Sequence, residues 1–355
     1  MVVKILNTLF TIGNFLALTP SSLENRTPTF RQKFYLLIAF LFYGVGAMYC
    51  TYQRRTLYNS LSAIALILRL LTDFTLYGHN YYGVVMLMFF KRNQWFALAD
   101  KLRQVDAADS DRHYYFVFVL AHLTYAVCLI VLTYTWIEML RLQFLRMFLV
   151  EYFQMYSLFF YLVLGHTMLI AILKRYRRQK LLIQRSKKRI HKQVLKKIKC
   201  NLLLLKETVN VFNDIFGWQI LLSIMYIVLR SLLFFEMSLN NGNSNLNNKS
   251  VALTSYFIAN ISLLLLFWIE FLAVALRCDF VSKEFDKIVT VAREMEVTDV
   301  VVDGVVDKGT FLSTILNFRP NFTAARFCSI NRSIIFSVLN SFTTFLLVIV
   351  QLRIN

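Results

Sequence analysis

A row of small polar side chains runs along one side of the last apolar segment of the chain. From Ser333 to Leu352 there are twenty residues without a charge, about enough α-helix to cross a hydrocarbon core of about 30 Å. At roughly 100° per residue, the hydroxyl and amide side chains of this helix fall within an arc of roughly 60°. They are Ser333, Ser337, Asn340, Thr344 and Gln351. Such groups can hydrogen-bond to water or to a neighbouring helix.

This polar face has two interpretations, because an unsatisfied polar group in hydrocarbon costs several kcal/mol. In the first, the hydroxyls and amides hold the helix inside a monomeric bundle by hydrogen bonds between helices. In the second, the helix lines a water-filled conduit around the axis of an oligomer, since one such face supplies only one wall of a pore. The stripe alone does not decide between them.

Some of the polar and charged residues within the remaining apolar segments are candidates for ligand binding. Arg69 and Asp73 are four residues apart, so they can pair on one helical face, and a structural ion pair is the preferred interpretation for them. With short outer loops, a ligand would bind in the outer half of the bundle. The candidates there, each with a packing alternative, are Arg69, Asp73, Tyr125, Glu151, Gln154, Tyr226, Arg230 and Asn260.

The composition predicts a polytopic membrane protein. The chain has 355 residues, 57% of them hydrophobic, and a mean hydropathy of +0.54, far too apolar for one soluble domain. The apolar runs predict an all-α fold with seven transmembrane helices. They lie at about 34–52, 61–90, 114–136, 148–173, 216–235, 254–276 and 333–352.

The segments between these spans divide the chain further. Residues 1–33 precede the first span, and spans one to four with their short loops occupy 34–173. The other divisions are a basic connector at 174–215, spans five and six at 216–276 with a polar loop at 236–253, a mixed-charge region at 277–332 that could pack as an assembly domain, and the last span at 333–352.

The distribution of positive charge predicts the orientation. With an intracellular N-terminus, thirty-one Lys and Arg lie in inside segments and six in outside segments, so the positive-inside rule places the N-terminus inside and the C-terminus outside. The net charge of +19 is concentrated at 174–199, which has thirteen Lys and Arg and no acid. A cytoplasmic helix beside anionic membrane lipid explains this run better than nucleic acid does, and we expect no nucleic-acid partner.

Motifs for catalysis or metal binding are not found in the sequence. It has no Gly-rich phosphate loop, no HExxH and no GxSxG, so we expect no enzyme activity and no cofactor. The five cysteines have no CxxC spacing, so neither a metal site nor an extracellular disulfide framework is expected. One sequon makes Asn248, in the polar loop, a candidate for glycosylation.

Three classes of seven-span protein can be compared. A G-protein-coupled receptor has the opposite orientation, and the chain lacks its DRY and NPxxY patterns. A secondary transporter is expected to have halves of related hydropathy with Gly- or Pro-broken helices, which the sequence does not have. A ligand-gated channel subunit fits best, because the last helix offers a polar face. The runner-up is a non-conducting seven-helix binding protein or auxiliary subunit, in which that face is buried between helices.

Two stretches of the chain resemble the insect gustatory receptors. The C-terminal signature of that family is a Thr-Tyr, a short apolar run and Gln-Phe, and the matching residues here are Thr344, Phe345, Gln351 and Leu352. Two family aromatics differ, since Phe345 replaces Tyr and Leu352 replaces Phe. FGWQILL at 216–222 is similar to the start of the family's fifth span.

The resemblance implies a fold shared with the insect olfactory receptors, in which four subunits surround one pore lined by the last helix. It implies a homo- or hetero-tetramer in the plasma membrane, in dendrites of gustatory neurons, that admits cations when a small-molecule tastant binds. Gln351 and Leu352 would then lie at the pore constriction, with Gln351 coordinating cations and Leu352 closing the pore by dewetting. The pore residues expected on this basis are Gln351, Leu352, Val348, Thr344, Asn340 and Ser337.

Overall fold

The computed structural model describes residues 2–20, 27–105, 112–141, 143–186, 192–241, 250–297 and 308–354, so Asn248 lies outside the described residues. The helices are α1 (Val2–Phe15), α2 (Phe30–Gln53), α3 (Arg55–Asn59), α4 (Ala63–Val85), α5 (Arg92–Gln104), α6 (Arg112–Leu140), α7 (Gln143–Ser186), α8 (Lys192–Asn241), α9 (Ser250–Val297), α10 (Lys308–Leu316) and α11 (Arg332–Ile354). A π-helical turn, Met86–Phe90, continues α4. Two short strands, β1 (Thr323–Ala324) and β2 (Cys328–Ser329), form an antiparallel hairpin.

Among the described residues, six helices are long and apolar enough to cross a membrane, namely α2, α6, α7, α8, α9 and α11. The remaining predicted span corresponds to α4, whose 23 residues extend about 35 Å at 1.5 Å per residue. Its hydropathy is lowered by Arg69, Asp73, His79 and Asn80, all of which are buried against neighbouring helices. Buried polar groups therefore explain why α4 is the least apolar of the seven.

The three longest helices extend well beyond a bilayer. α7, α8 and α9 contain 44, 50 and 48 residues, or roughly 65 to 75 Å each, against about 30 Å of hydrocarbon. The described parts of the basic run, 174–186 and 192–199, form the end of α7 and the start of α8. There Arg175 donates hydrogen bonds to the carbonyls of Leu102 and Val105, at the end of α5. These contacts join α5 to the extended part of α7.

Local signals set where several helices begin. Thr29 accepts a hydrogen bond from the Gln32 backbone at 3.3 Å, and the Gln32 side chain accepts one from the Thr29 backbone, which is a capping box at the start of α2. Ser62 caps α4 by accepting from the Ala65 N–H. The core of the bundle forms around α7, because 94% of its most apolar 18-residue stretch is buried, whereas only 11% of the corresponding stretch of α11 is buried.

Candidate functional site: a charged cavity and an outward-facing polar helix

A cavity of about 190 Å³ lies between the end of α2, α3 with its connection to α4, α4 itself and helices α6 to α9. Most of its wall is apolar and includes Leu57, Leu61, Trp136, Phe148, Tyr152, Leu233, Phe234, Met237 and Phe257. The polar side chains that reach it are Arg54, Tyr58, Ser60, Arg69, Glu151, Arg230 and Asn260. The cavity thus combines an apolar body with one charged wall, which is the usual composition of a small-molecule site.

Glu151 is the centre of the charged wall. Its Oε2 lies 2.5 Å from Nη1 of Arg54 and 2.5 Å from Nη2 of Arg69. Its Oε1 lies 3.5 Å from Nη1 of Arg230. The Glu151 side chain is only 3% exposed, so three cations from three different parts of the chain converge on one buried carboxylate.

Asp73 supports the same arginines from behind. Its Oδ1 lies 3.1 Å from Nη2 of Arg69, and its Oδ2 lies 3.5 Å from Nη2 of Arg54 and accepts a hydrogen bond of 2.7 Å from the Tyr58 hydroxyl. The predicted Arg69–Asp73 pair is therefore present, as part of a larger network. The three arginines face two carboxylates, so this network carries one excess positive charge.

Arg230 has the weakest contacts of the three arginines. Its Nη2 donates to Oδ1 of Asn260 at 3.4 Å, and its only ion pair among the described residues is the 3.5 Å contact with Glu151. Both distances are longer than the 2.7–3.2 Å typical of N–H···O hydrogen bonds. A guanidinium has five N–H donors, so Arg230 keeps donor capacity at the cavity wall.

The predicted ligand candidates divide into two groups. The first group consists of Arg69, Glu151, Arg230 and Asn260, which line the cavity, and Asp73, which does not line it but pairs with Arg69. By contrast, three candidates lie elsewhere in the core and do not line this cavity, namely Tyr125, Gln154 and Tyr226.

These three residues have packing surroundings. Tyr125 stacks on Phe159 with ring centroids 4.6 Å apart, and Tyr226 meets Phe267 edge to face at 5.9 Å. The Gln154 backbone carbonyl accepts a hydrogen bond from Asn80, and the Gln154 side chain is fully buried. The ring contacts of Tyr125 and Tyr226 therefore favour a role in packing over a role in ligand binding.

Sequence reasoning missed Arg54 and most of the aromatic wall. The sequence places Arg54 in the loop after the first span, yet its Nε donates back to the carbonyl of Cys50, and its guanidinium stacks over Phe148 at 5.5 Å. Trp136 and Phe148 flank the short connection between α6 and α7 and stack at 4.9 Å. The one sequence signal for this wall is the density of aromatics on both sides of that connection.

The last helix packs on its bundle with one face only. Residues that pack against the core or against residues of α8 lie at helical spacing, namely Ile334, Ile335, Val338, Phe342, Leu346 and Ile349. At 100° per residue this packing face is centred about 160° from the polar arc. The polar arc therefore points away from the helices of its own chain.

Every predicted pore residue is exposed in the single chain: Ser337, Asn340, Thr344, Val348, Gln351 and Leu352. The hydroxyls of Ser337 and Thr344 donate to backbone carbonyls one turn earlier in α11. Within the described part of the chain, no hydrogen bond satisfies the side-chain amide of Asn340 or Gln351. These two amides thus need water or another chain.

A small apolar cluster joins the cavity to α11. Leu233, on α8, lines the cavity and also packs in one cluster with Ile349 of α11. The partly buried members of this cluster include Phe342 and Leu346 on α11 and Leu61 and Met237 at the cavity. The cavity and the last helix therefore share a wall of side chains.

Residues 213–219 of α8, which include the FGWQ segment, contact the hairpin that precedes α11. Asn213 donates to the Asn321 carbonyl at 2.7 Å and accepts from the Thr323 N–H at 3.2 Å. Trp218 meets Phe327, in the turn of the hairpin, edge to face at 5.7 Å. Gln219 donates to the backbone carbonyl of His79 on α4. This segment of α8 therefore contacts both α4 and the hairpin.

Lys91 joins the same region from the connector after α4. It donates to the backbone carbonyl of Asp214 and, at 2.8 Å, to the Tyr82 hydroxyl. Burial lowers the pKa of Lys91 to about 8, although the Asp214 carboxylate raises it in part. The burial that brings Lys91 to its two hydrogen-bond partners therefore also makes its ammonium group easier to deprotonate.

Comparisons with known proteins agree with this architecture. A family model described as 7tm Chemosensory receptor matches residues 6–355. The insect olfactory receptor OR5 from Machilis hrabei is similar in structure, with a TM-score of 0.69 and 13% identity over 98% of each chain. In complex with eugenol, that receptor matches with a TM-score of 0.69 and 11% identity, over 99% of this chain and 97% of the other. A search of curated proteins finds no match. The predicted all-α fold with seven membrane helices is confirmed.

Proposed function

This chain belongs to the 7tm chemosensory receptor family, and from that membership we propose that it is a gustatory receptor subunit, a ligand-gated non-selective cation channel that detects a small-molecule tastant. The family also confirms the prediction that the protein is a receptor and not an enzyme. Thr344 and Gln351 support the gustatory assignment, because they keep the residue types and the spacing of the gustatory pattern, whereas Phe345 and Leu352 replace its Tyr and Phe.

The outward polar face of α11 is the observation that carries the channel proposal. If the face packed inside its own bundle, its amides would meet neighbouring helices, but Asn340 and Gln351 point away from them. If it faced lipid, each unsatisfied amide would cost several kcal/mol. Facing water at an oligomer axis satisfies both amides and leaves the apolar side of α11 on the bundle.

One helix supplies one wall, so the proposal includes a tetramer, made of this chain alone or with related subunits. Around the axis, four copies of Gln351 would form a ring of amide oxygens for permeant cations. Leu352, which is 61% exposed in the single chain, would close the pore by dewetting. Val348, Thr344, Asn340 and Ser337 would line the rest of the wall.

The proposed orientation has the N-terminus in the cytoplasm and the C-terminus outside. The balance of thirty-one to six Lys and Arg supports it. On this orientation, the long ends of α7, α8 and α9 are cytoplasmic, and the basic stretches 174–186 of α7 and 192–199 of α8 lie beside the anionic inner leaflet. The cavity then opens in the outer half of the bundle, in a plasma-membrane protein of gustatory dendrites.

We propose that ligand gates the pore through the wall shared by the cavity and α11. A ligand in the cavity contacts Leu233, which packs with Ile349. A ligand that binds better when α11 is in its open position shifts the population toward that position by its differential affinity. The related olfactory receptor OR5 was solved with the small molecule eugenol, which supports a site of this scale.

The test is whole-cell current from a null cell line that expresses this chain, alone and with related subunits, during a panel of sugars, bitter compounds and cuticular lipids. We expect ligand-evoked cation current that Gln351→Arg abolishes or makes anion-permeable. If the Gln351→Arg channel reached the cell surface and kept its ion selectivity, the proposal that α11 lines the pore would be contradicted. A monomeric chain that binds ligand without current would instead indicate a non-conducting binding or auxiliary subunit.

A further inference from the structure

Resting on the proposed role of the cavity as the ligand site, we infer that its ligand is a small, mainly apolar carboxylic acid whose carboxylate pairs with Arg230. The inference concerns the chemical class of the ligand. It follows from the charge balance of the cavity wall, from the contacts of Arg230 and from the size and lining of the apolar part.

The charge balance favours an anion. Among the described residues, Glu151 and Asp73 are the only carboxylates that pair with Arg54, Arg69 and Arg230, which leaves one positive charge in excess. The next acid along α8, Glu236, accepts a hydrogen bond of 2.9 Å from Ser62 and does not line the cavity. A charge held in a poorly solvated wall is costly unless it is paired. A ligand carboxylate would supply the missing partner.

Arg230 is the arginine that a carboxylate can reach. Arg54 and the Glu151 carboxylate are almost fully buried and bonded to each other. The Arg230 side chain is 18% exposed, lines the cavity and has only long contacts with Glu151 and Asn260. A guanidinium presents its donors as a planar fork that matches a carboxylate in a bidentate pair. Arg230 is therefore placed to accept the acid without breaking the Glu151 network.

The rest of the cavity sets the size and polarity of the ligand. Its aromatic wall, including Trp136, Phe148, Phe234 and Phe257, suits a ring or a branched aliphatic group. A dry protein cavity of about 150 Å³ holds benzene, so a cavity of about 190 Å³ holds a ring with a short substituent, roughly ten non-hydrogen atoms.

Two other ligand classes fit this wall poorly. A sugar would place most of its hydroxyls against apolar side chains, where a hydroxyl without a partner costs about 1–3 kcal/mol. An amine would bring a second cation to Arg230. Neither class neutralises the excess positive charge.

Direct binding tests the inference apart from channel activity. The full chain, purified into lipid nanodiscs, is titrated calorimetrically with phenylacetic acid, its methyl ester and phenethylamine at neutral pH. We expect the acid to bind at least about tenfold more tightly than the ester, and the amine not to bind. Three results would overturn the inference: equal binding of the acid and the ester, binding of the amine, or no binding of either the acid or the ester.

Two variants locate the acid. Arg230→Gln should weaken phenylacetate binding by roughly 30-fold, as expected for loss of one partner of a buried charge pair, and should leave ester binding within about threefold. Asn260→Asp, which keeps the shape of the side chain and puts a carboxylate beside Arg230, should weaken the acid in the same direction and keeps the test valid if Arg230→Gln does not fold. The matched control is Arg103→Gln, a half-exposed arginine of α5 that does not line the cavity.

Current and binding together separate this inference from the proposed function. If the acid binds, Arg230→Gln abolishes that binding and no ligand evokes a current, the ligand class would be supported and the channel proposal would be contradicted. Current evoked by neutral compounds, with no preference for acids, would support the channel and overturn the ligand class.

Discussion

Glu151 on α7 and Arg54, the residue that follows α2, form a direct 2.5 Å ion pair in which both side chains are almost fully buried, although 97 residues separate them. Arg69 approaches the same carboxylate oxygen at 2.5 Å. Since Arg54 follows directly on α2 while Arg69 and Glu151 belong to α4 and α7, the network joins the end of α2 to α4 and α7 at the wall of the cavity.

The first prediction removes the shared carboxylate. Glu151→Gln should lower the unfolding free energy by about 3–5 kcal/mol, because it leaves buried arginines without their main partner. The control is Glu207→Gln, whose carboxylate pairs with Lys101 but is 46% exposed, so it should cost less than about 1 kcal/mol. Thermal unfolding in detergent measures both. Equal melting temperatures for the two variants would mean that the network does not hold the helices together.

Part of this network was predictable from sequence. Arg69 and Asp73 lie four apart, and helical geometry alone brings them together. Glu151 and Arg230 are recognisable as costly charges inside apolar spans. Their convergence on Arg54 was not predictable, because it depends on how α2 and α7 pack across 97 residues of chain.

The last helix shows the same division. The polar arc follows from the 3.6-residue period of the helix. Whether that arc is buried or points outward depends on which face of α11 packs on the bundle, and only the structure identifies that face, around Phe342 and Ile349. The sequence likewise does not explain the glycine at position 217 of α8, because the backbone that leaves no room for a Cβ at Gly217 belongs to the hairpin, more than a hundred residues later in the chain.

The second prediction concerns water along α11. In an otherwise cysteine-depleted chain, cysteines at Ser337, Asn340 and Thr344 should react with a charged, membrane-impermeant thiol reagent, and more rapidly while a ligand is present. Cysteines at Val338 and Phe342, on the packing face, are the matched controls and should react at least about tenfold more slowly. Similar rates on both faces would contradict a water-lined wall, and lack of reaction at all five positions would favour a buried polar face.

The third prediction is a pH dependence in the long extensions of α7 and α9. Burial raises the pKa of Glu284, but hydrogen bonds from Lys180 and Lys287 and the charges of these lysines lower it more, so that the pKa lies below its usual value of 4.5. A carboxylate with a lowered folded-state pKa contributes stability that is fully present above the unfolded pKa and is lost as pH falls through the folded pKa.

Glu284→Gln should therefore destabilise the protein at neutral pH, and the difference in melting temperature from wild type should shrink as the pH falls below about 4.5. Asp286→Asn is the control, since its carboxylate is 51% exposed and pairs with Arg319 at 3.3 Å, and it should cost less than about 1 kcal/mol. A difference for Glu284→Gln that stays constant at acidic pH would assign the effect to packing and not to charge.

The last prediction tests the hairpin that leads into α11. A Cβ at Gly217 would lie 2.8 Å from the Ala325 nitrogen and 3.1 Å from the Thr323 carbonyl oxygen, and both are backbone atoms that cannot turn aside. Gly217→Ala should therefore push the hairpin away from α8, lower the unfolding free energy by roughly 1–3 kcal/mol and reduce ligand-evoked current beyond the loss of surface protein.

Gly78→Ala makes the same change in α4 where nothing lies within 4 Å, so it should be neutral or stabilising by up to about 1 kcal/mol. Because both variants add one methyl group to a helix, a Gly217→Ala channel as stable and as active as Gly78→Ala would mean that close contact between α8 and the hairpin is not needed for folding or for gating.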